Sequence, residues 1–106
     1  MTDFSVIFVT VGSESEASKI AHTLVEEGLV ACANILPRIR SIYRWKGEVC
    51  DDEEFLLVIK TRSSRFEALQ RRVRELHSYE VPEIIAIPLT AGLPEYLQWI
   101  EENTPE

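Results

Sequence analysis

A chain of 106 residues is long enough for one hydrophobic core of ordinary size and too short for two, so residues 1–106 are read as a single domain. Hydrophobic residues make up 45% and charged residues 27%, the balance of a folded globular protein. No apolar run reaches bilayer length, and MTDFSVIFV carries an acid where a secretory signal carries positive charge. A net charge of −7 repels a phosphate backbone, so the expectation is no nucleic acid, no membrane and a cytoplasmic location.

Phe4 to Val11 is rich in β-branched and aromatic residues, stops at Gly12 and reads as a first strand buried on both faces. Ser13 opens a helix. Its spacing to Glu16 is that of a capping box, and Ala17, Ile20, Ala21, Leu24 and Val25 form one apolar stripe that Gly28 ends. VACANILP and RIRSIYRW have strand character interrupted by Pro37, which removes a ladder donor and predicts a bent strand at an edge or bulge. Lys46-Gly47 supplies a tight turn, and Phe55 to Thr61 is the returning strand. That turn sets Arg40 opposite Glu53 and Arg44 diagonal to Asp51, giving the acidic run DDEE a basic arm to face.

Ser64 and Glu67 form a second capping-box pattern before the stripe Phe66, Leu69, Val73, Leu76, whose intervening arginines make a solvated face. Ile84 to Leu89 is the last long strand, and Pro94 opens a short terminal helix. The order βαββαβ plus a helix is that of an α+β, ferredoxin-like sandwich with a long hairpin. In that fold, helices cover one face of an antiparallel sheet. Strands apolar on both faces then leave a patch that a chain this short cannot cover, which predicts an oligomer. An edge strand of one hairpin would pair with a neighbour's sheet, protecting the Ile39 to Trp45 arm from hydrogen exchange.

LHSYEVPEII, residues 76–85, crowds chemically able groups at a strand entrance. Pro82 holds Val81 extended, so the second helix ends before it and His77 to Glu80 form a rim loop. His22 lies off the apolar stripe and faces solvent; His77 follows the last apolar turn, where positive charge complements the helix dipole. Paired metal-ligand spacings such as C-x-x-C and H-x-x-H are absent, so a metal site must be assembled from distant segments or separate subunits. Cys32 sits in a buried-looking strand and Cys50 beside an acid. Neither is an activated nucleophile, and both are read as free thiols. Glu80 and Glu83 could move protons, but no nucleophile or nucleotide-binding glycine loop accompanies them, so no enzyme activity is expected.

Five collinear segments, AHTLVEEGLVACANILP, SIYRWKGEV, EEFLLVIKTR, LHSYEVPEIIAIPL and YLQWI, closely resemble the CutA family of divalent-cation-tolerance proteins, from about Ser5 to Ile100. The resemblance implies a ferredoxin-like subunit in a compact homotrimer locked by hairpin arms, with copper binding in some members and a shape like PII signalling trimers. It draws attention to Cys32, Trp45, Lys60, His77, Tyr79, Glu80 and Glu83 at an inter-subunit cleft. Ser78 stands where the family usually has proline, which predicts a looser loop, and Gly28 where a long basic residue is common. Cys50 matches no motif.

Imidazole and thiolate suit late first-row metals. The leading expectation is therefore a trimer that holds Cu(II) or a similar divalent cation weakly through Cys32, His77 and Glu80, with Trp45, Lys60, Tyr79 and Glu83 lining the cleft. The alternative is a structural or signalling trimer of PII-like shape that binds a small anion or a partner peptide, with Lys60 as the cationic group.

Overall fold

The computed structural model describes residues 3–106. The chain runs β1 (Phe4–Val11), α1 (Glu14–Glu26), β2 (Cys32–Trp45), β3 (Glu48–Arg62), a single 3-10 turn (Ser63–Arg65), α2 (Phe66–Leu76), β4 (Ile84–Pro88) and α3 (Pro94–Glu102). The four strands form one antiparallel sheet in the order β2-β3-β1-β4. Each βαβ half therefore straddles a strand of the other half, as in a ferredoxin-like sheet.

The core lies between this sheet and the two long helices. Ile7, Val9 and Val11 of β1 and Leu57 and Ile59 of β3 face Ala17, Ile20 and Leu24 of α1 and Leu69 and Val73 of α2, all fully buried. Val25, expected in the α1 stripe, is instead exposed, while Leu24 beside it is fully buried and closes the stripe. Ser13 Oγ accepts the Glu16 N–H at 3.2 Å, so the first cap forms. The reciprocal half of that box does not, since the Glu16 carboxylate turns to Ser78. The second box is absent as well: α2 starts at Phe66 behind the 3-10 turn, and Ser64 donates to Glu106.

β1 is covered on one face only, correcting the expectation of burial on both. Along it, Val6 and Phe8 are half-buried, and their neighbours Ile85 and Ile87 are 49% and 46% exposed. This open face continues across β3 and β2 through Leu56, Val58, Lys60, Leu36 and Cys32. Its Arg62 end lies against α3, where Arg62 donates to the Glu101 carbonyl at 2.8 Å and to Thr104 Oγ1 at 3.2 Å.

β3 is twice as long as Phe55 to Thr61. From Glu48 to Glu54 it pairs only with β2, so the hairpin projects as an arm beyond the end of β1. Lys46 (φ 50°) and Gly47 (φ 82°) close it in the left-handed conformation that tight hairpin turns require. Pro37 does mark a break: the register shifts between Leu36 and Ile39, and Arg38 takes φ 54°. Arg40 stands opposite Glu53 as the turn predicts, yet its guanidinium makes a two-pronged bond to Asp51 (2.8 and 2.6 Å), while Arg44 donates to the Gly47 carbonyl. Asp51 is diagonal to both arginines, and Arg40 holds its carboxyl below the usual range.

Candidate functional site: the cleft under the hairpin arm

The loop between α2 and β4 follows the end of β1 and passes beneath the arm. Between them lies a cleft of about 670 Å³, bordered by Tyr43 and Trp45 of the arm, Glu54 at its root, and Tyr79, Glu80 and Glu83 of the loop. Strand alternation puts Tyr43, Trp45 and Glu54 on one face of the hairpin. Thr10, Ser41 and Ser78 contribute hydroxyl-bearing side chains, and no basic residue is among the lining groups.

His77 is the anchor of the loop. Its side chain is fully buried, with Nε2–H donating to the Thr10 carbonyl at 2.7 Å and Nδ1 accepting the Tyr79 N–H at 3.1 Å. Those partners specify the neutral tautomer protonated on Nε2 and occupy both ring nitrogens. Glu16 Oε2 lies 3.6 Å from Nδ1 but takes its hydrogen bonds from Ser78, through the backbone N–H (2.6 Å) and, on Oε1, the hydroxyl (2.9 Å). The loop is thus fastened at Ser78 rather than loosened there, because serine offers an N–H that proline lacks.

Tyr79 closes the floor of the cleft. Its hydroxyl donates to Glu54 Oε2 at 2.8 Å, and burial, then Glu54, push the phenol well above its ordinary value. A Cβ on Gly12 would meet that hydroxyl oxygen at 3.0 Å, so glycine leaves the ring its place. Tyr43 donates to Asp52 at 2.7 Å, and this bond raises its phenol to about 12. Both hydroxyls are committed to carboxylates. Glu80 is exposed at the mouth and pairs with Lys46 of the arm tip at 3.6 Å.

Of the residues singled out in the sequence, Trp45, Tyr79, Glu80 and Glu83 meet in this cleft. Cys32 and Lys60 do not. They are directly paired on the open sheet face, where each donates to Asn34 Oδ1. Lys60 is level with Val6, four residues along β1 from Thr10, roughly 13 Å at the rise of a strand. One chain therefore does not bring Cys32, His77 and Glu80 together for Cu(II). Among the described residues, no group of three or more His, Cys, Asp or Glu side chains is placed to hold a metal. The sequence reading missed Glu54, hidden in a run that looks solvated, and Tyr43. The signal for Glu54 was its phase: it shares the two-residue alternation of Leu56, Val58 and Lys60.

A family profile described as CutA1 divalent ion tolerance protein matches residues 5–103. The chain belongs to the CutA family. It is 54% identical over 99 residues to the divalent-cation tolerance protein CutA of Thermus thermophilus, covering 93% of this chain and 96% of that protein. With protein CutA of Homo sapiens it shares 48% identity over 100 residues, which is 94% of this chain but 56% of the human protein. The Thermus CutA structure superposes with a TM-score of 0.94 at 52% identity, covering 96% and 99% of the two chains. The Oryza sativa CutA1 structure gives 0.95 at 42%, covering 99% and 96%. These CutA structures share its α+β architecture of a four-stranded antiparallel sheet and three helices. Relatives are named for tolerance and not for a reaction. Their names include a chloroplastic protein of Arabidopsis thaliana and a periplasmic one of Archaeoglobus fulgidus, so the family is not tied to one compartment. No helix among the described residues is long and apolar enough to cross a membrane.

Proposed function

We propose that this CutA-family chain works as a homotrimer in the cytoplasmic response to excess divalent cation. In this reading it catalyses no reaction and holds an ion such as Cu(II) weakly at the boundaries between protomers. The observation that carries the reading is the open apolar sheet face together with a projecting arm that its own chain underlies on one face only. Ile42 and Val49, in strand phase opposite to Tyr43, Trp45 and Glu54, are 64% and 66% exposed. Exposed apolar surface of this extent is characteristic of interfaces. Weak cation binding is supported by the exposed Glu80 and Glu83 at the cleft mouth and by a net charge of −7, which concentrates cations around the protein. Any thiolate contribution would have to come from Cys32 on the open face, and so from across a protomer boundary. The anion-binding alternative would have to use Lys60 on that face, since the arm cleft is acidic.

Two measurements test the reading. Sedimentation at micromolar concentration gives one species of three chain masses. Calorimetric titration with Cu(II) gives a weak isotherm that Glu80→Gln combined with Glu83→Gln weakens further. A stable monomer, or a copper isotherm indifferent to both substitutions, contradicts it.

A further inference from the structure

Glu54 is an acid set at the root of the arm and largely withdrawn from solvent. It is only 6% exposed, and its one hydrogen-bond donor among the described residues is the Tyr79 hydroxyl at Oε2. No described Lys, Arg or His nitrogen lies within 4.0 Å of it. Glu54 borders the cleft together with Glu80 and Glu83, and no basic side chain lines it, so the pocket favours a positive charge.

The walls say which kind of cation. Tyr43, Trp45 and Tyr79 all border the cleft. The two phenol hydroxyls are already turned onto Asp52 and Glu54, so the ligand meets ring surface rather than donor oxygen. Aromatic rings give a metal ion no inner-sphere ligand, and about 670 Å³ is far more room than a bare ion fills. Ring faces do attract organic cations and cover their alkyl groups. The chain supplies its own example at the mouth: the Lys46 ammonium lies 5.6 Å from the Trp45 ring centroid and 3.6 Å from Glu80.

We propose that the arm cleft binds an alkylammonium ion, its charge held by Glu54 and its alkyl groups packed on Trp45, Tyr43 and Tyr79, with Lys46 as a built-in competitor at the entrance. The inference does not depend on the metal reading, because metal and ammonium titrations are read separately.

The test is a calorimetric and chemical-shift titration of the intact protein with choline chloride. Sodium chloride at equal ionic strength and the neutral isostere 3,3-dimethylbutan-1-ol serve as controls. Choline binds with shifts confined to the arm and the 77–83 loop, and the alcohol binds at least about ten-fold more weakly, since it offers no charge. Glu54→Gln, which keeps an oxygen for Tyr79, and Trp45→Leu each weaken choline about ten-fold or more. Lys46→Asn removes the competing ammonium while creating an Asn-Gly turn that favours the same hairpin, and tightens choline by about two- to five-fold. Circular dichroism and sedimentation of each variant confirm that fold and assembly are kept. No choline binding, equal binding of the alcohol, or indifference to both Glu54→Gln and Trp45→Leu in folded protein overturns the proposal.

Discussion

From Phe55 to Arg62, β3 lies between β1 and β2, and Leu57, Ile59 and Thr61 on its inner face are fully buried. From Glu48 to Glu54 the same strand has β2 alone beside it, and of these seven residues only Glu54 is buried. The first segment is held by apolar burial within the chain. The second keeps its shape by ladder hydrogen bonds, a left-handed turn and cross-strand charges, which are weak in water. A two-stranded ribbon is marginal alone, so the arm makes sense as an element that another surface completes.

The largest effect expected from this contrast is in the sealed segment. Leu57→Ala empties a fully buried site and should cost about 2–5 kcal/mol by denaturant unfolding. Val49→Ala on the arm removes a side chain that nothing in its own chain covers. Its cost reports only what a neighbour adds, so it should vanish under conditions that dissociate the assembly.

Next in size is the loop anchor. His77→Ala leaves the Thr10 carbonyl without its imidazole donor and should cost about 1–3 kcal/mol. Because both ring nitrogens already have partners, copper binding should follow Glu80 and Glu83 and not His77. A His77→Ala protein of wild-type stability would remove the anchor from the account.

The phenols sharpen the comparison at alkaline pH. Tyr43 is raised to about 12, and Tyr79 is raised further, both above an unfolded value near 10. The folded state therefore holds these protons more tightly than the unfolded one. Their contribution is complete below pH 10 and falls as pH rises through the folded values. Tyr96 is raised too, first by burial and then by nearby Cys32. Absorbance titration at the phenolate band should show no ordinary tyrosine midpoint near pH 10 until the protein unfolds.

The smallest effect belongs to the arm's ion pair. Arg40 and Asp51 are largely exposed, so Arg40→Gln should change stability little, and a double-mutant cycle should couple Arg40 to Asp51 rather than to Glu53. Coupling to Glu53 instead would show that the diagonal bond does not persist in solution.

Much of this was legible in the chain. Alternation, Pro37 and Lys46-Gly47 located the strands, the bulge and the turn, because these depend on local backbone chemistry. Val25 and the failed Ser64–Glu67 box were not foreseeable, since tertiary packing decided them: the seating of α1 on the core through Leu24 in one case and Glu106 in the other. In the site, LHSYEVPEII did reveal the rim loop. It did not reveal that His77 faces inward or that Glu16, 62 residues before Ser78, ties the loop down. Glu54 was masked by its neighbours Asp51, Asp52 and Glu53, three exposed acids that made the whole run look solvated.

The central claim is that the open face and the arm are covered by copies of the same chain. Sedimentation equilibrium over a range of micromolar concentrations measures this most directly. The account predicts a single species of three chain masses at every loading, and a protein that sediments as a stable monomer would contradict it.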